Sequence, residues 1–294
     1  MDYKKYFKLI LRFAISGGLI VFLIWRQDFT EIIEILAKYN PAYIVIGLTI
    51  SLTSIFVASK RWKTILNIIN HDAPHKSLYI LCMKGYFYNN FLPTQMGGDL
   101  YKSVALGRRI NDQATSLFSV FIDRFGGLVI LLLLSLFGIA STKGYLAVLV
   151  SLAIVFVGLL LYFPVLNLLS KKITFLVKFK EASELFIKNK KGAGLILLYS
   201  LMVQMFSFTM VYVLFIGLGV TLPFWAVIAY MPLTSLALLI PSFNGFGTQE
   251  LVYAGLYSTV GVTPEISIAA SLLVHIIRLL MSLIGGVLIL LGKE

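Results

Sequence analysis

Phe91-Leu92-Pro93-Thr94-Gln95-Met96-Gly97-Gly98-Asp99 interrupts an apolar stretch in the first half of the chain. Leu239-Ile240-Pro241-Ser242-Phe243-Asn244-Gly245-Phe246-Gly247-Thr248-Gln249-Glu250 interrupts one in the second. Each break runs from proline through a hydroxyl residue and a glycine pair to an acid, and Pro93 and Pro241 lie half a chain length apart. Gly/Pro breaks at corresponding places in two halves are the best sequence pointer to the binding site of a transporter built from inverted repeats.

The surrounding composition is that of a membrane protein. Of 294 residues, 59% are hydrophobic and only 13% charged, with a mean hydropathy of +0.92, far from soluble usage. The runs 128–140, 145–169 and 266–291 reach, or nearly reach, the length that crosses a hydrocarbon core of about 30 Å. These features predict an all-α polytopic membrane protein; the alternation of an outer-membrane barrel is absent. The single cysteine, Cys82, rules out an intrachain disulfide. Lys4, Lys5 and Lys8 before an apolar run to Trp25 imitate a signal peptide, but the apolar core is too long and no small-residue cleavage site follows, so a retained first span is expected.

Charge sets the topology. The net charge is +12, yet its distribution speaks for a membrane surface and against nucleic acid. The basic residues gather in four clusters: Lys4 to Arg12; Lys60, Arg61, Lys63 and Lys76; Lys102, Arg108 and Arg109; and Lys171 through Lys191. Cytoplasmic loops are enriched in Lys and Arg, which places all four clusters and both termini inside. Spans are then expected at about 6–25, 41–59, 114–140, 145–169, 193–216 and 265–291. Residues 78–109 and 223–261 must each enter and leave on one side, as re-entrant hairpins with tips at Pro93, Gly97 and Gly98 and at Pro241, Gly245 and Gly247. The reading divides the chain into a first inverted repeat, 1–143, and a second, 144–294, within one integral membrane domain of about six spans and two broken-helix hairpins. Eight complete helices with ordinary Pro/Gly kinks are the plainer alternative. Segment 170–191, lysine-rich with interleaved apolar residues, reads as an amphipathic element on an anionic leaflet or as a solvated loop.

Charges inside apolar segments mark the chemistry, since a central charge costs about 2.5–3.5 kcal/mol on insertion scales. Asp99 and Glu250 open the second arms of the two hairpins, where an acid caps a half-helix. A half-helix N-terminus within a membrane also offers N–H groups to an anion. Asn90, Thr94, Gln95, Asn244 and Gln249 would line a polar vestibule between the tips. Arg124 and Arg278 are expected to meet Asp99 and Glu250, or a lipid phosphate that displaces them, because the planar guanidinium fork binds two oxygens. Asp123, next to Arg124 on its helix, should have a different partner. Arg61 reads first as an interfacial anchor and second as a head-group contact, Lys84 as a lysine that snorkels to the inner surface. His275, on the helix face of Arg278, is a hydrogen-bond partner or proton carrier. His71, Asp72 and His75 lack further ligands, so no metal is expected, and no cofactor motif occurs. The glycine pairs 17–18, 126–127 and 285–286 suit close helix packing.

The stretch from Gly85 to Arg109, with Asn90, Leu92-Pro93-Thr94 and Gly97-Gly98-Asp99, followed by Asp123-Arg124 with Gly126 and by Ile240-Pro241-Ser242 to Glu250, resembles the flippase-like membrane domain of the lysylphosphatidylglycerol synthases, the multiple peptide resistance factors. The resemblance covers essentially the whole chain. It implies a domain that moves aminoacylated phosphatidylglycerol from the inner to the outer leaflet, with aminoacyl transfer residing in a separate soluble domain. That domain does not follow Leu290 here, so transferase activity is not expected. Lys102 stands where many relatives carry Arg, which bears on head-group recognition.

The function expected is a lipid translocase of the cytoplasmic (inner) membrane, not an enzyme. It would move lysyl-phosphatidylglycerol or another anionic or glycosylated lipid. Membrane lipids, an anionic phospholipid above all, are its expected partners, and the resemblance is compatible with a homodimer. Two other classes compete: a membrane subunit that recruits a separate synthase through the lysine-rich segment, and an intramembrane lipid-modifying enzyme using Asp99, Asp123 or Glu250.

Overall fold

The computed structural model describes residues 29–91, 97–143, 188–237 and 245–292, with isolated positions between 164 and 185. The expected spans at 6–25 and 145–169 fall outside the described residues. So do most of segment 170–191 and the tip residues Pro93, Thr94, Gln95, Pro241 and Asn244.

Among the described residues there are helices and no strands: α1 (Phe29–Ala37), α2 (Ala42–Ile68), α3 (His75–Phe91), α4 (Gly97–Ile110), α5 (Gln113–Lys143), α6 (Lys190–Gly217), α7 (Phe224–Ala237), α8 (Thr248–Tyr257) and α9 (Pro264–Leu290). A single 3-10 turn, Ser258–Val260, follows α8. Local sequence explains their ends. Asp112 Oδ1 accepts from the backbone N–H of Ala114 and Thr115 at the start of α5, Asn189 caps α6, and Thr263 followed by Pro264 opens α9. After α2 and α4 the chain turns through Asn70 and Asn111 in the left-handed region, where asparagine is tolerated.

Four of these helices are long and apolar enough to cross a membrane: α2, α5 over Gln113–Leu131, α6 and α9. Their outward faces carry Val45, Leu198, Leu283 and Val287 exposed, which is how a helix bathed in lipid reads when its tails are as apolar as leucine. The chain is an all-α membrane protein. The arms α3, α4, α7 and α8 hold 17, 14, 14 and 10 residues, below the roughly 20 that a full crossing requires.

Packing follows a paired scheme. The pair α2 and α6 forms the most extensive contact; α3 lies on α9 and α7 lies on α5. Likewise α4 packs on α5 and α8 on α9, α3 on α4 and α7 on α8, α2 on α3 and α6 on α7. Each contact in the first half thus has a counterpart in the second. One cluster of buried side chains around Phe208, Phe215, Tyr253 and Tyr257 joins α6 to α8, and another around Trp62, Leu66 and Phe118 joins α2, α3 and α5.

Three sequence expectations change here. Helix α2 does not stop near residue 59 but runs to Ile68, so Arg61 and Trp62 are buried within the bundle and do not anchor at an interface. Lys84 is buried at 8% exposure on α3 and does not extend to a surface. The connection 26–40 contains α1, whose Ile32 is buried against Ile268 and Ala269 of α9 while Ile33 faces outward.

Candidate functional site

The acids at the starts of α4 and α8 occupy the same helical position. Asp99 is the third residue of α4 and Glu250 the third of α8. Each helix start is tied down locally. At the first, Asn89 Oδ1 accepts from the Gly98 backbone N–H at 2.6 Å. At the second, Glu250 Oε2 accepts from the Gly247 N–H at 2.7 Å and Thr248 donates its hydroxyl to the Gly245 carbonyl at 3.0 Å. Gly245 and Gly247 have φ of 87° and 84°, a region that favours glycine.

Around Asp99 a chain of charged and polar groups runs across four helices. Arg124 on α5 grips the carboxylate with both arms of its fork, Nε to Oδ2 at 2.5 Å and Nη2 to Oδ1 at 2.9 Å. Lys102 Nζ lies 2.9 Å from Asp99 Oδ1 and 3.8 Å from Asp123 Oδ2. Asp123 Oδ1 accepts from Arg61 Nε at 2.7 Å, and Arg61 Nη1 donates to Ser200 Oγ on α6 at 2.9 Å. Trp62 closes the layer: its ring faces Lys102 at 5.3 Å and its indole N–H donates to Ser119. Asp99, Lys102, Asp123 and Arg61 are all buried, whereas the Arg124 side chain is 60% exposed. Two carboxylates therefore hold three cations, an arrangement in which each buried charge has an opposite neighbour.

The second half answers with different chemistry. Glu250 Oε1 accepts from Ser271 Oγ at 3.0 Å and lies 2.9 Å from His275 Nε2. Neither ring nitrogen makes a hydrogen bond among the described residues. The His275 ring stacks on Phe246 with centroids 3.9 Å apart. Arg278 does not reach Glu250. Its Nη1 donates to Gln249 Oε1 at 2.9 Å, while Gln249 Nε2 is buried without a partner among the described residues. The expected pairing with a hairpin acid thus holds for Arg124 and Asp99. For Glu250 it is replaced by His275, because that residue lies as far along the chain from Glu250 as Arg124 does from Asp99, 25 residues.

Between the two clusters lies a cavity of about 220 Å³. Ser51 from the middle of α2, Tyr86 near the end of α3, Gln204 and Ser207 from the middle of α6, Ser235 of α7 and Arg278 of α9 line it. Gln204 also donates to the Gly127 carbonyl on α5. The sequence offered no signal for Gln204 or the serines, which are unremarkable residues in apolar helices until the fold points them inward. Lys102, expected in a cytoplasmic basic cluster and as a departure from the family pattern, is instead buried and bridges Asp99 and Asp123. Asn90 sits in the last turn of α3, and its side chain lies outside the described residues. Of the histidine-acid triplet, His75 Nε2 is 2.8 Å from Ser59 Oγ and Asp72 pairs with Lys63 at 3.6 Å.

The chain is similar in sequence to known membrane proteins. The family model described as the lysylphosphatidylglycerol synthase transmembrane region matches residues 9–286. A UPF0104 membrane protein of Methanocaldococcus jannaschii is 26% identical over 289 residues, covering 87% of this chain and 86% of the relative. A UPF0104 membrane protein of Pyrococcus horikoshii is 21% identical over 332 residues, covering 99% and 98%. With the match running through both helix pairs, both ion clusters and the cavity between them, the chain belongs to the lysylphosphatidylglycerol synthase transmembrane-region family.

Proposed function

We propose that this chain is a lipid translocase of the cytoplasmic membrane that carries a phospholipid head group between leaflets while the acyl chains stay in lipid. The observation that carries the reading is the half-polar cavity, with Arg278 in its wall, set among helices long enough to cross a membrane. A cationic, hydroxyl-lined hollow at that depth is costly to maintain, and intramembrane ionisable residues mark substrate pathways. The short arms α3–α4 and α7–α8 act in this reading as re-entrant hairpins, too short for full crossings of their own.

The paired packing scheme supports two repeats, 1–143 and 144–294, of inverted topology, and relative movement of the halves would expose the cavity to each leaflet in turn. The basic clusters favour both termini in the cytoplasm, whose loops are enriched in Lys and Arg. The chain works without catalysing a covalent step, and lipids are its principal partners.

The test is a leaflet-accessibility measurement on the purified full chain in liposomes, using acyl-labelled phosphatidylglycerol, lysyl-phosphatidylglycerol and a glycolipid. Dithionite should bleach most of the inner-leaflet label of at least one lipid within minutes in protein-containing vesicles. Bleaching that stops at the outer leaflet for every lipid, with and without a proton gradient, removes the translocase reading.

A further inference from the structure

Resting on the translocase reading, we infer that His275 is a proton-binding site linked to the cavity. A proton on its ring and a phosphate group at Arg278 bind cooperatively, so the cavity loads an anion and a proton together.

Two neighbouring helices build the link. Gln249 and Glu250 are adjacent in the first turn of α8, and His275 and Arg278 stand one turn apart on α9. Glu250 Oε1 lies 2.9 Å from His275 Nε2, and Gln249 Oε1 accepts from Arg278 Nη1 at 2.9 Å. Arg278 in turn lines the cavity. The His275 ring is buried and stacks on Phe246, and neither of its nitrogens makes a hydrogen bond among the described residues. A neutral imidazole has one donor and one acceptor, and burial here leaves both unmet. A proton taken up from water turns Nε2 into a charged donor beside a carboxylate oxygen, which makes the stronger kind of hydrogen bond.

Glu250 carries the signal to the cavity. It keeps its charge while the ring is neutral, because the Gly247 N–H and the Ser271 hydroxyl both donate to it. That charge acts on Arg278 as well as on His275. With the ring neutral, Glu250 offsets Arg278 and the trio carries no net charge. With the ring protonated, the carboxylate answers the imidazolium, and the trio carries one net positive charge beside the cavity. An anion at Arg278 is then held more tightly. The anion in return holds the proton more tightly, since coupling between two sites is reciprocal. A unit charge about 8 Å away at an effective dielectric of about 20 changes occupancy by on the order of thirtyfold.

The other ionisable groups around the pair are neutral, distant or exposed among the described residues. From α8, Tyr253 is buried with its hydroxyl on Met231 Sδ, and from α3, Tyr86 lines the cavity with Arg278. Phenols are neutral near pH 7. Cys82 of α3 lies among the charges of the Asp99 cluster. Lys84 follows Met83, whose carbonyl lies against Gly285, about 15 Å along α9 from His275. Helices α2 and α6 meet this part of α9 through Gly47, Met210 and Leu214 around Ile277. The acids of α1, Glu31 and Glu34, are exposed, and Glu265 stands in the first turn of α9.

The experiment follows the three histidines of the full chain, labelled with nitrogen-15 in their rings, by NMR in detergent from about pH 4.5 to 8.5. His275 is assigned by the loss of its signal in His275→Gln. Its ring should titrate with one proton, and saturating dihexanoyl-phosphatidylglycerol should raise the midpoint by about one pH unit or more, leaving His71 and His75 in place. Arg278→Gln should raise the midpoint without lipid and abolish the lipid-induced shift, a pattern that a merely structural arginine would not give. Inorganic phosphate at the same concentration tests the source of the anion: a smaller shift assigns it to the lipid head group, an equal one to the soluble phase. A His275 ring that stays neutral throughout the titration, or a midpoint that bound phosphatidylglycerol does not move, overturns the inference. A shifted midpoint with no lipid crossing in liposomes removes the translocase reading and leaves the linkage standing. Lipid that crosses equally fast in acid and in alkali while the midpoint stays fixed does the reverse.

Discussion

His275 stands to Glu250 as Arg124 stands to Asp99: the same separation in sequence, the same third position of the acid in its helix, and an imidazole where the other half has a guanidinium. The two acids are alike in place and unlike in load. Asp99 neutralises permanent cations, whereas Glu250 is held by two neutral donors and a ring that is charged only when protonated.

Removing Glu250 should therefore be felt as a loss of helix capping as well as of contact. Glu250→Ala leaves the Gly247 N–H without its acceptor and should destabilise by about 1–2 kcal/mol. His275→Ala, which removes no hydrogen bond among the described residues, should cost less of that local order. Melting of the two variants in detergent checks the ranking.

The first cluster makes a different forecast. Arg124→Ala leaves Asp99 with Lys102 and removes only an exposed side chain, so its cost should stay near 1 kcal/mol or below. Asp99→Ala leaves a buried Lys102 and an arginine facing each other, and breaking a buried network from that side costs about 3–5 kcal/mol. The order of melting temperatures, with the aspartate variant lowest, is the check; the reverse order would mean that the arginine carries the network.

Gly98 and Gly85 should respond unequally to the same methyl group. A Cβ on Gly98 would run into the Gly85 carbonyl oxygen, whereas one on Gly85 would meet the Gly98 carbonyl oxygen at 3.4 Å. Gly98→Ala should destabilise by about 1–3 kcal/mol through overpacking, and Gly85→Ala should be nearly neutral. Yields of folded monodisperse protein and melting curves for the pair decide it.

Tyr39, between α1 and α2, carries a buried hydroxyl without a partner among the described residues. Burial, with Tyr43 a lesser cause, pushes its phenol up to about 12. Tyr39→Phe removes the unsatisfied group and keeps the ring, so stability should hold or rise, by about 1 kcal/mol at most. The folded phenol stays neutral through physiological pH, and the melting temperature of wild type should show no contribution from it between pH 6 and 9.

How much of this could be seen in the sequence depended on whether the signal was local. The capping acids were legible because a helix start after glycines demands an acceptor, and Asp123 and Arg124 diverge because neighbours on a helix point apart. Arg61 was misread because a charge cluster ends a hydropathy plot. Nothing in residues 59–68 says that the helix continues and that a carboxylate waits on α5. The choice between His275 and Arg278 for Glu250 was not legible either. Both share a face of α9, and the rotation of α8, which sets Gln249 beside one and Glu250 beside the other, comes from packing. The cavity serines had no signal, since mid-helix serines most often bond their own backbone, and these do that too.

The two helix pairs also differ mechanically. Where α3 meets α4, backbone rests on backbone at Gly85 and Gly98, with the stack of Tyr88 on Tyr101 beside it. Where α7 meets α8, the rings of Tyr230, Tyr253 and Tyr257 interlock with one another and with Phe215 of α6. A glycine-on-glycine contact has no rotamers to release, so it behaves as a bearing; an aromatic lock behaves as a clamp. Strain applied to the bundle would meet one ring stack in the first pair and a lock of four rings in the second, so the Asp99 side should yield before the Glu250 side.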